Sequence, residues 1–396
     1  MEAKLNSILQ NHVATGEDTK GKLLGVSFLV VTKDDILFSG SAGRIALETS
    51  SPAWTDKSLT WIASMSKLIT ISAMMQLVER GLIGLDDDVR PLVKELREVQ
   101  ILKGFDADDK PLLEPNTKPM TFRHLLTHTA GYGLDLADPD LIKWSKVTNR
   151  KVNGQSWSVD GINVPLKFAP SEGWYYGFST DWAGRVLEAV TGKTLGAYLQ
   201  EKVLDPLGMK DTGFWPERLS AHRELTPYMY RRKNGELKEG EPMFNAKEHE
   251  IESAGSGLFT TPRDYAMFLS GLMAGKVVKK ETLELMLTPQ LDEAQEHMLN
   301  LIADMVKEQF APEWPGKPKL NHGIGGVISL EDIPGKRNKG SLAWSGAANS
   351  RWWFDPKAGI AAVVMTNVQP HGDAVMTSLW DQLERAVYEN LRSSGS

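Results

Sequence analysis

The 396-residue sequence contains no cysteine, which excludes disulfides, thiolate metal sites and a cysteine nucleophile. Positive charge is not in excess either. Lys and Arg number 45 against 51 Asp and Glu, and the net charge of −6 offers no basic field for nucleic acid or an anionic membrane. No apolar run approaches the roughly 20 residues of a membrane span. The opening Met-Glu-Ala-Lys-Leu-Asn-Ser-Ile-Leu lacks the apolar core of a secretory signal, so a cytoplasmic protein is expected. The Gly-x-Ser-x-Gly elbow is missing, which removes an α/β-hydrolase mechanism. Internal repeats are absent too. What remains, 41% hydrophobic and 24% charged residues, is an ordinary globular composition, and the length suits two lobes better than one core.

The stretch from Trp61 to Leu82 organises the rest. Leu68, Ile71, Met75, Val78 and Leu82 recur at three- and four-residue steps and predict a helix with one apolar face. Ser64 and Lys67 stand at its entrance, on the same side of the first turn, in the only Ser-x-x-Lys of the chain. A serine hydroxyl needs a base to become a nucleophile, and a lysine amine serves when it is neutral. Burial and the positive end of a helix both favour the neutral amine. This is an acyl-transfer arrangement. The alternative is a polar helix start with a solvated lysine.

Around this helix, Glu2 to Ala14 reads as a short amphipathic helix, and Gly25–Val31 with Ile36–Gly40 as a hairpin turning at Thr-Lys-Asp-Asp. Gly16-x-x-x-x-Gly21-Lys22 imitates a phosphate loop, but Leu23 follows the lysine and a strand comes next, so nucleotide binding is not expected. His124 and His128 have the spacing of a zinc pair without a third ligand, and are expected to satisfy buried backbone near the cleft. No metal or cofactor is expected. Residues 132–168 are predicted to cap the cleft, and the charged stretch 217–250 to be a surface excursion. Pro262, after the cap residue Thr261, opens a helix through Met273. Residues 276–320 read as a helix and a Pro-rich loop. Ile324–Leu330, Ser341–Trp344, Asn349–Phe354 and Ile360–Asn367 read as strands, residues 373–391 as a closing helix, and the last five as a disordered tail.

The predicted fold is α+β: one antiparallel sheet built from both ends of the chain, flanked by the terminal helices, with a mostly helical lobe inserted. The expected boundaries are 1–85 with 253–396 for the sheet domain and 86–252 for the helical cap lobe, with the active site between them.

Four separated blocks carry a resemblance. They are Ser64-Met-Ser-Lys67 with Gln76–Leu82, His124-Leu-Leu-Thr-His-Thr-Ala-Gly131, Trp174-Tyr-Tyr-Gly with Asp181-Trp-Ala-Gly184, and Trp344-Ser-Gly346. Together they resemble the serine β-lactamase-like (β-lactamase/transpeptidase) superfamily, and within it the family VIII carboxylesterases and the lovastatin-type fungal acyltransferases (transesterases). The resemblance implies Ser64 as nucleophile, Lys67 as its base partner and a tyrosine as third member. Spacing to Asp181-Trp-Ala-Gly184 favours Tyr176 over Tyr175, which is then an aromatic lid contact. It also implies an oxyanion hole from the N–H groups of Ser64 and Ala347, on an edge strand, each donor lowering the barrier by about 3 kcal/mol. Trp174, Tyr175, Phe178, Trp344, Ser345 and Gly346 are the implied substrate-binding residues. Trp344 replaces the lysine that penicillin-recognising members use for a carboxylate, and Phe178 stands where their Tyr-x-Asn has asparagine. Tyr388-Glu-Asn390 has those letters but lies in the closing helix.

The function expected is a serine acyl-enzyme hydrolase or acyltransferase, a Ser-Lys-Tyr carboxylesterase of secondary metabolism. It takes a small-molecule ester or thioester, with an acyl carrier as a possible donor, and passes the acyl group to water or an alcohol. Trp144, Trp157, Trp174, Trp344 and Trp352 suggest an apolar cleft. The alternatives are a β-lactamase or D-Ala peptidase-like enzyme, a non-catalytic binding homologue, and a non-hydrolytic group transfer. The expected state is a monomer or dimer.

Overall fold

The apolar runs near the two ends of the chain meet in one sheet. A computed structural model describes residues 1–241 and 249–394. Seven strands pair antiparallel: β1 (Gly25–Val31), β2 (Ile36–Gly43), β3 (Leu320–His322), β4 (Val327–Ser329), β5 (Leu342–Ser345), β6 (Arg351–Asp355) and β7 (Ile360–Met365). Their order is β2-β1-β7-β6-β5-β4-β3. The join between the two ends is β1 against β7, with Ser27 opposite Met365 and Val31 opposite Ala361.

Side chains alternate across this sheet with the period of two that a strand imposes. Val26, Phe28, Val30, Trp353, Ala362 and Val364 face the terminal helices, α1 (Glu2–His12) and α5 (Ala374–Ser394), where they meet Leu5, Leu9, Leu379 and Leu383. Leu29, Val31, Trp352, Phe354, Ala361 and Val363 face the opposite core, shared with α2 (Ser66–Glu79) and α3 (Pro262–Met273). Both faces are buried, so the strands read as continuous apolar runs. Each fully buried large aliphatic or aromatic side chain contributes about 1.5–3 kcal/mol. A third core gathers Trp174, Leu299, Trp314, Leu320 and Val327, with α4 (Glu293–Met305) packed at the β3 edge.

Several expectations need correction. The helix after Ser64 has no solvent face: every side chain from Ser66 to Leu77 is buried, and Leu82 lies beyond its end, 53% exposed. The strand carrying Trp344 is not an edge strand, since β5 pairs with β6 on one side and β4 on the other. The run from Ile324 is shortened to Val327–Ser329 because Gly323 to Gly326 form a turn, closed by the Gly323 N–H on the Gly326 carbonyl. The run from Asn349 starts at Arg351 because Asn349 has a left-handed φ of +65°.

The middle of the chain also holds strands that periodicity missed, a Gln100–Phe105/Pro111–Pro115 hairpin. Within 217–250, Tyr230–Lys233 is not a bare surface excursion. It pairs with Glu236–Lys238 and with Val368–Gln369, and Tyr230 is fully buried. Residues 242–248 of that stretch lie outside the described residues. The closing helix runs to Ser394 and absorbs most of the expected tail, of which Gly395 and Ser396 lie outside the described residues. Among the described residues no helix is long and apolar enough to cross a membrane.

Candidate active site

Ser64 sits in a 3₁₀ turn, Ala63–Met65, that leads into α2. Ala63 holds φ at +46°, a left-handed conformation that costs a residue with a Cβ on the order of 1–3 kcal/mol and is kept only where the surroundings enforce it. The enforcing contacts are local. Ser66 Oγ donates to the Ala63 carbonyl at 2.7 Å and accepts from the Leu258 N–H at 3.1 Å. Thr70 Oγ1 donates to the Ala254 carbonyl at 2.9 Å. The start of α2 is thereby tied to residues 254–258, and Ser64 is left half-buried at the cleft.

Two polar groups converge on Ser64 Oγ. The Tyr176 hydroxyl donates to it at 2.5 Å, and Lys67 Nζ donates to it at 3.3 Å. Lys67 is buried, gives a second hydrogen bond to the Gly255 carbonyl at 2.8 Å, and lies 4.7 Å from the Tyr176 ring centroid. The carboxylate of Asp181 closes this cluster. Its Oδ1 accepts from Ser253 Oγ at 2.5 Å and from the Gly255 N–H at 3.1 Å. Burial raises the Asp181 pKa, against the opposing pull of Lys67 and the Ser253 bond. Position 255 has no room for a side chain, since a Cβ there would stand 2.6 Å from Asp181 Oδ2.

The end of β5 approaches the same turn. A Cβ on Gly346 would lie 2.3 Å from the Ile62 carbonyl, so only glycine lets the two main chains come this close. Ala347, next along, lines the cavity together with Ser64 and Lys67. Its N–H makes no hydrogen bond among the described residues.

The cavity has a volume of about 230 Å³. One wall is the set just described. The other comes from the cap, with Leu134, Leu136, Ala137, Gln155 and Trp157 beside Phe178. Of the implied substrate-binding residues, Phe178 lines this space, and Trp174, Tyr175, Trp344, Ser345 and Gly346 do not. Trp174 is fully buried in the third core. Tyr175 turns away from Ser64, its hydroxyl donating to Asp138 Oδ2 at 2.8 Å. Trp344 stands behind Tyr176, ring centroids 5.4 Å apart, and Ser345 Oγ lies 3.0 Å from His371 Nε2. Of the other tryptophans, Trp157 reaches the cavity, Trp352 is buried in the sheet core and Trp144 packs against the main core. Trp61, Asp135, Asp181 and Gln155 line the cavity without having been singled out. Asp181 belongs to the Asp181-Trp-Ala-Gly184 block, but its partners Ser253 and Gly255 are far along the chain.

The two histidines divide. His124 satisfies backbone as expected, its Nδ1 accepting from the Thr121 N–H at 3.1 Å. His128 does not: its Nδ1 is buried without a partner, and the ring packs on Tyr176 at 4.8 Å and edge-on to His322 at 5.6 Å. Burial, reinforced by His322 and Lys67, depresses the His128 pKa far below the usual imidazole range, and burial first among its causes lowers His322 to about 4. Burial thus favours the neutral form of both rings.

A sheet built from both chain ends, a Ser-x-x-Lys at the head of a buried helix and a tyrosine on the serine define a class. The chain belongs to the Beta-lactamase family, which residues 5–384 match, and it is an enzyme of that family. An ML-236A carboxylate methylbutanoyltransferase of Penicillium citrinum is 31% identical over 340 residues, 84% of this chain and 81% of that protein. A lovastatin esterase of Penicillium rubens is 32% identical over 337 residues, 83% of this chain and 84% of that protein. An unliganded simvastatin synthase of Aspergillus terreus superimposes with a TM-score of 0.90 at 27% identity, covering 98% of each chain.

Proposed function

We propose that this chain is a serine carboxylesterase or acyltransferase of secondary metabolism that works through an acyl-Ser64 intermediate. The observation that carries the reading is the convergence of Tyr176 and Lys67 on Ser64 Oγ, at 2.5 and 3.3 Å. Ser64 Oγ attacks the carbonyl carbon of an ester or thioester, and its proton passes to the Tyr176–Lys67 pair. The carbonyl oxygen takes the negative charge and is held by the N–H groups of Ser64 and Ala347. The C–O or C–S bond then breaks, the pair returns the proton to the departing alcohol or thiol, and the acyl group stays on Ser64. Water or an acceptor alcohol attacks that ester in turn, losing its proton to the same pair, which restores it to Ser64 Oγ. All four groups come from one chain, so a monomer suffices.

The relatives include a transferase and an esterase, so hydrolysis and transfer both occur among similar chains. The apolar cap wall, Leu134, Leu136, Trp157 and Phe178, supports transfer, because excluding water favours the alcohol. The test is intact-protein mass spectrometry after incubation with a short-chain p-nitrophenyl ester, a free acyl thioester or the same acyl group on a carrier protein. An acyl adduct on the wild type and none on Ser64→Ala is expected, and added alcohol should remove it faster than water does. A wild type that neither forms an adduct nor releases product with any donor sinks the proposal.

A further inference from the structure

The oxyanion wall depends on a turn that the reaction itself does not explain. Asn349 lies two residues beyond Ala347, buried to 1% exposure, with φ at +65°. Asparagine tolerates that region better than most residues with a Cβ, yet tolerance does not account for what the side chain does here. Its Nδ2 donates to the carbonyls of Val368 and Pro370, each at 2.7 Å. Its Oδ1 accepts from the N–H of Gly372 at 2.8 Å and of Asp373 at 3.2 Å. Two donors and two lone pairs are the whole capacity of a carboxamide, and all are used. The main chain of the turn is closed by Gly346 N–H on the Ser350 carbonyl and by Asn349 N–H on the Gly346 carbonyl, both at 2.9 Å. Neighbouring links run between the same two segments. The Val368 N–H donates to the Ala348 carbonyl at 3.3 Å, and Ser350 Oγ donates to the Thr366 carbonyl at 3.0 Å.

We infer that Asn349 is a positioning residue for acyl transfer: its four-bonded carboxamide fixes the turn that carries the Ala347 N–H. The inference rests on the acyl-Ser64 reading above and adds to it a residue that does not line the cavity. An oxyanion donor works only when it is held where the charge will develop, and a displacement of about 1 Å costs on the order of 10²-fold in rate. Glycine at 346 and alanine at 347 have no side chain long enough to anchor the turn themselves. Asn349 supplies the anchor from the far end.

The experiment compares wild type, Asn349→Gly and Asn349→Asp. The glycine variant keeps the left-handed backbone and loses all four bonds. The aspartate variant keeps the acceptor and sets a carboxylate against two carbonyls. Burst-phase acylation by p-nitrophenyl butyrate is measured beside KM, thermal midpoint and affinity for butylboronic acid, which forms a tetrahedral anion on the serine. We expect acylation to fall about 10²-fold and boronic acid affinity to fall in parallel, with KM near the wild-type value. A folded variant that acylates at the wild-type rate overturns the inference, and so does a loss no larger than its unfolded fraction. Both leave Ser64 standing. A wild type with neither burst nor boronic acid binding withdraws the Ser64 reading, and the inference falls with it.

Discussion

The two walls of the cleft are built differently. The wall with Ser64, Lys67, Asp181, Gly255 and Ala347 draws on two helices, a strand end and a loop, joined by hydrogen bonds between residues far apart in sequence. The cap wall draws on Leu134 to Ala137 and Gly154 to Trp157, short loops and 3₁₀ turns with apolar tips, Leu136 being 50% exposed. In the acyl-Ser64 reading, the groups that must stand within tenths of an ångström of a reacting atom sit on the first wall. Groups that only have to exclude water and fit a shape sit on the second. The same division separates neighbours in sequence: Tyr176 points to Ser64 and Tyr175 to Asp138.

That pair gives the sharpest way to break the comparison. Tyr176→Phe removes the hydroxyl on Ser64 and is expected to lower kcat by about 10²–10⁴-fold, as for loss of a general acid–base group, with KM little changed. Tyr175→Phe should leave kcat within a small factor. Steady-state kinetics on one p-nitrophenyl ester decides it, and equal losses in the two variants would refute the assignment. A smaller effect is expected on the cap wall. Phe178→Ala enlarges the apolar space and should shift preference toward longer acyl chains by about tenfold in the ratio of kcat/KM values, the scale of a methylene-sized fit. Measuring C2 to C8 esters tests it, and a uniform loss for every chain length would place Phe178 with the reacting groups instead.

The smallest effect lies outside both walls and serves as a control. Asp264 accepts from the Asp211 N–H at 2.8 Å and from Thr212 Oγ1 at 3.0 Å, and burial pushes its pKa up to about 6. The folded state therefore holds a proton that the unfolded state releases near 3.8. More protons bound to the folded state means stability falls as pH rises from about 4 to 6 and is level above, a loss on the order of 3 kcal/mol. Asp264→Asn should remove that fall while leaving turnover per folded molecule unchanged. Urea midpoints taken from pH 4 to 7 check the sign, and a wild type that gains on the variant as pH rises through this window would contradict it.

Much of the first wall was legible in the sequence, and most of the second was not. Ser64 and Lys67 announce themselves because the proposed nucleophile and its partner, one turn apart, leave a pattern in neighbouring letters. Tyr176 needed the Asp181-Trp-Ala-Gly184 spacing to be told from Tyr175. The sheet was legible from β-rich runs at both ends, with strand ends blurred where Gly325 and Asn349 turn the chain by positive φ. Leu134, Leu136 and Gln155 carry no period, because a loop places its side chains by its path and not by a repeat. The all-round burial of α2 was hidden for a different reason: Ser66, Thr70, Ser72 and Gln76 are polar letters that the fold satisfies internally. Periodicity reads such letters as a solvent face.

The pairing of β1 with β7 also bears on how the chain comes to be made. Ser27 leaves the ribosome well before Met365, so the first hairpin waits with one edge uncovered while the residues between them are made. The Ser64 helix waits with it, since part of the core it shares comes from residues after 250, Leu258, Tyr265 and Phe268 among them. Release of a shortened product would leave Phe28 and Val30 without Val364 and Ala362 opposite them on β7, and the same strand edge invites another chain. Yield in a host cell should therefore depend on how quickly synthesis finishes and on the chaperones that shield that edge, more than on the strength of any single contact in the finished protein.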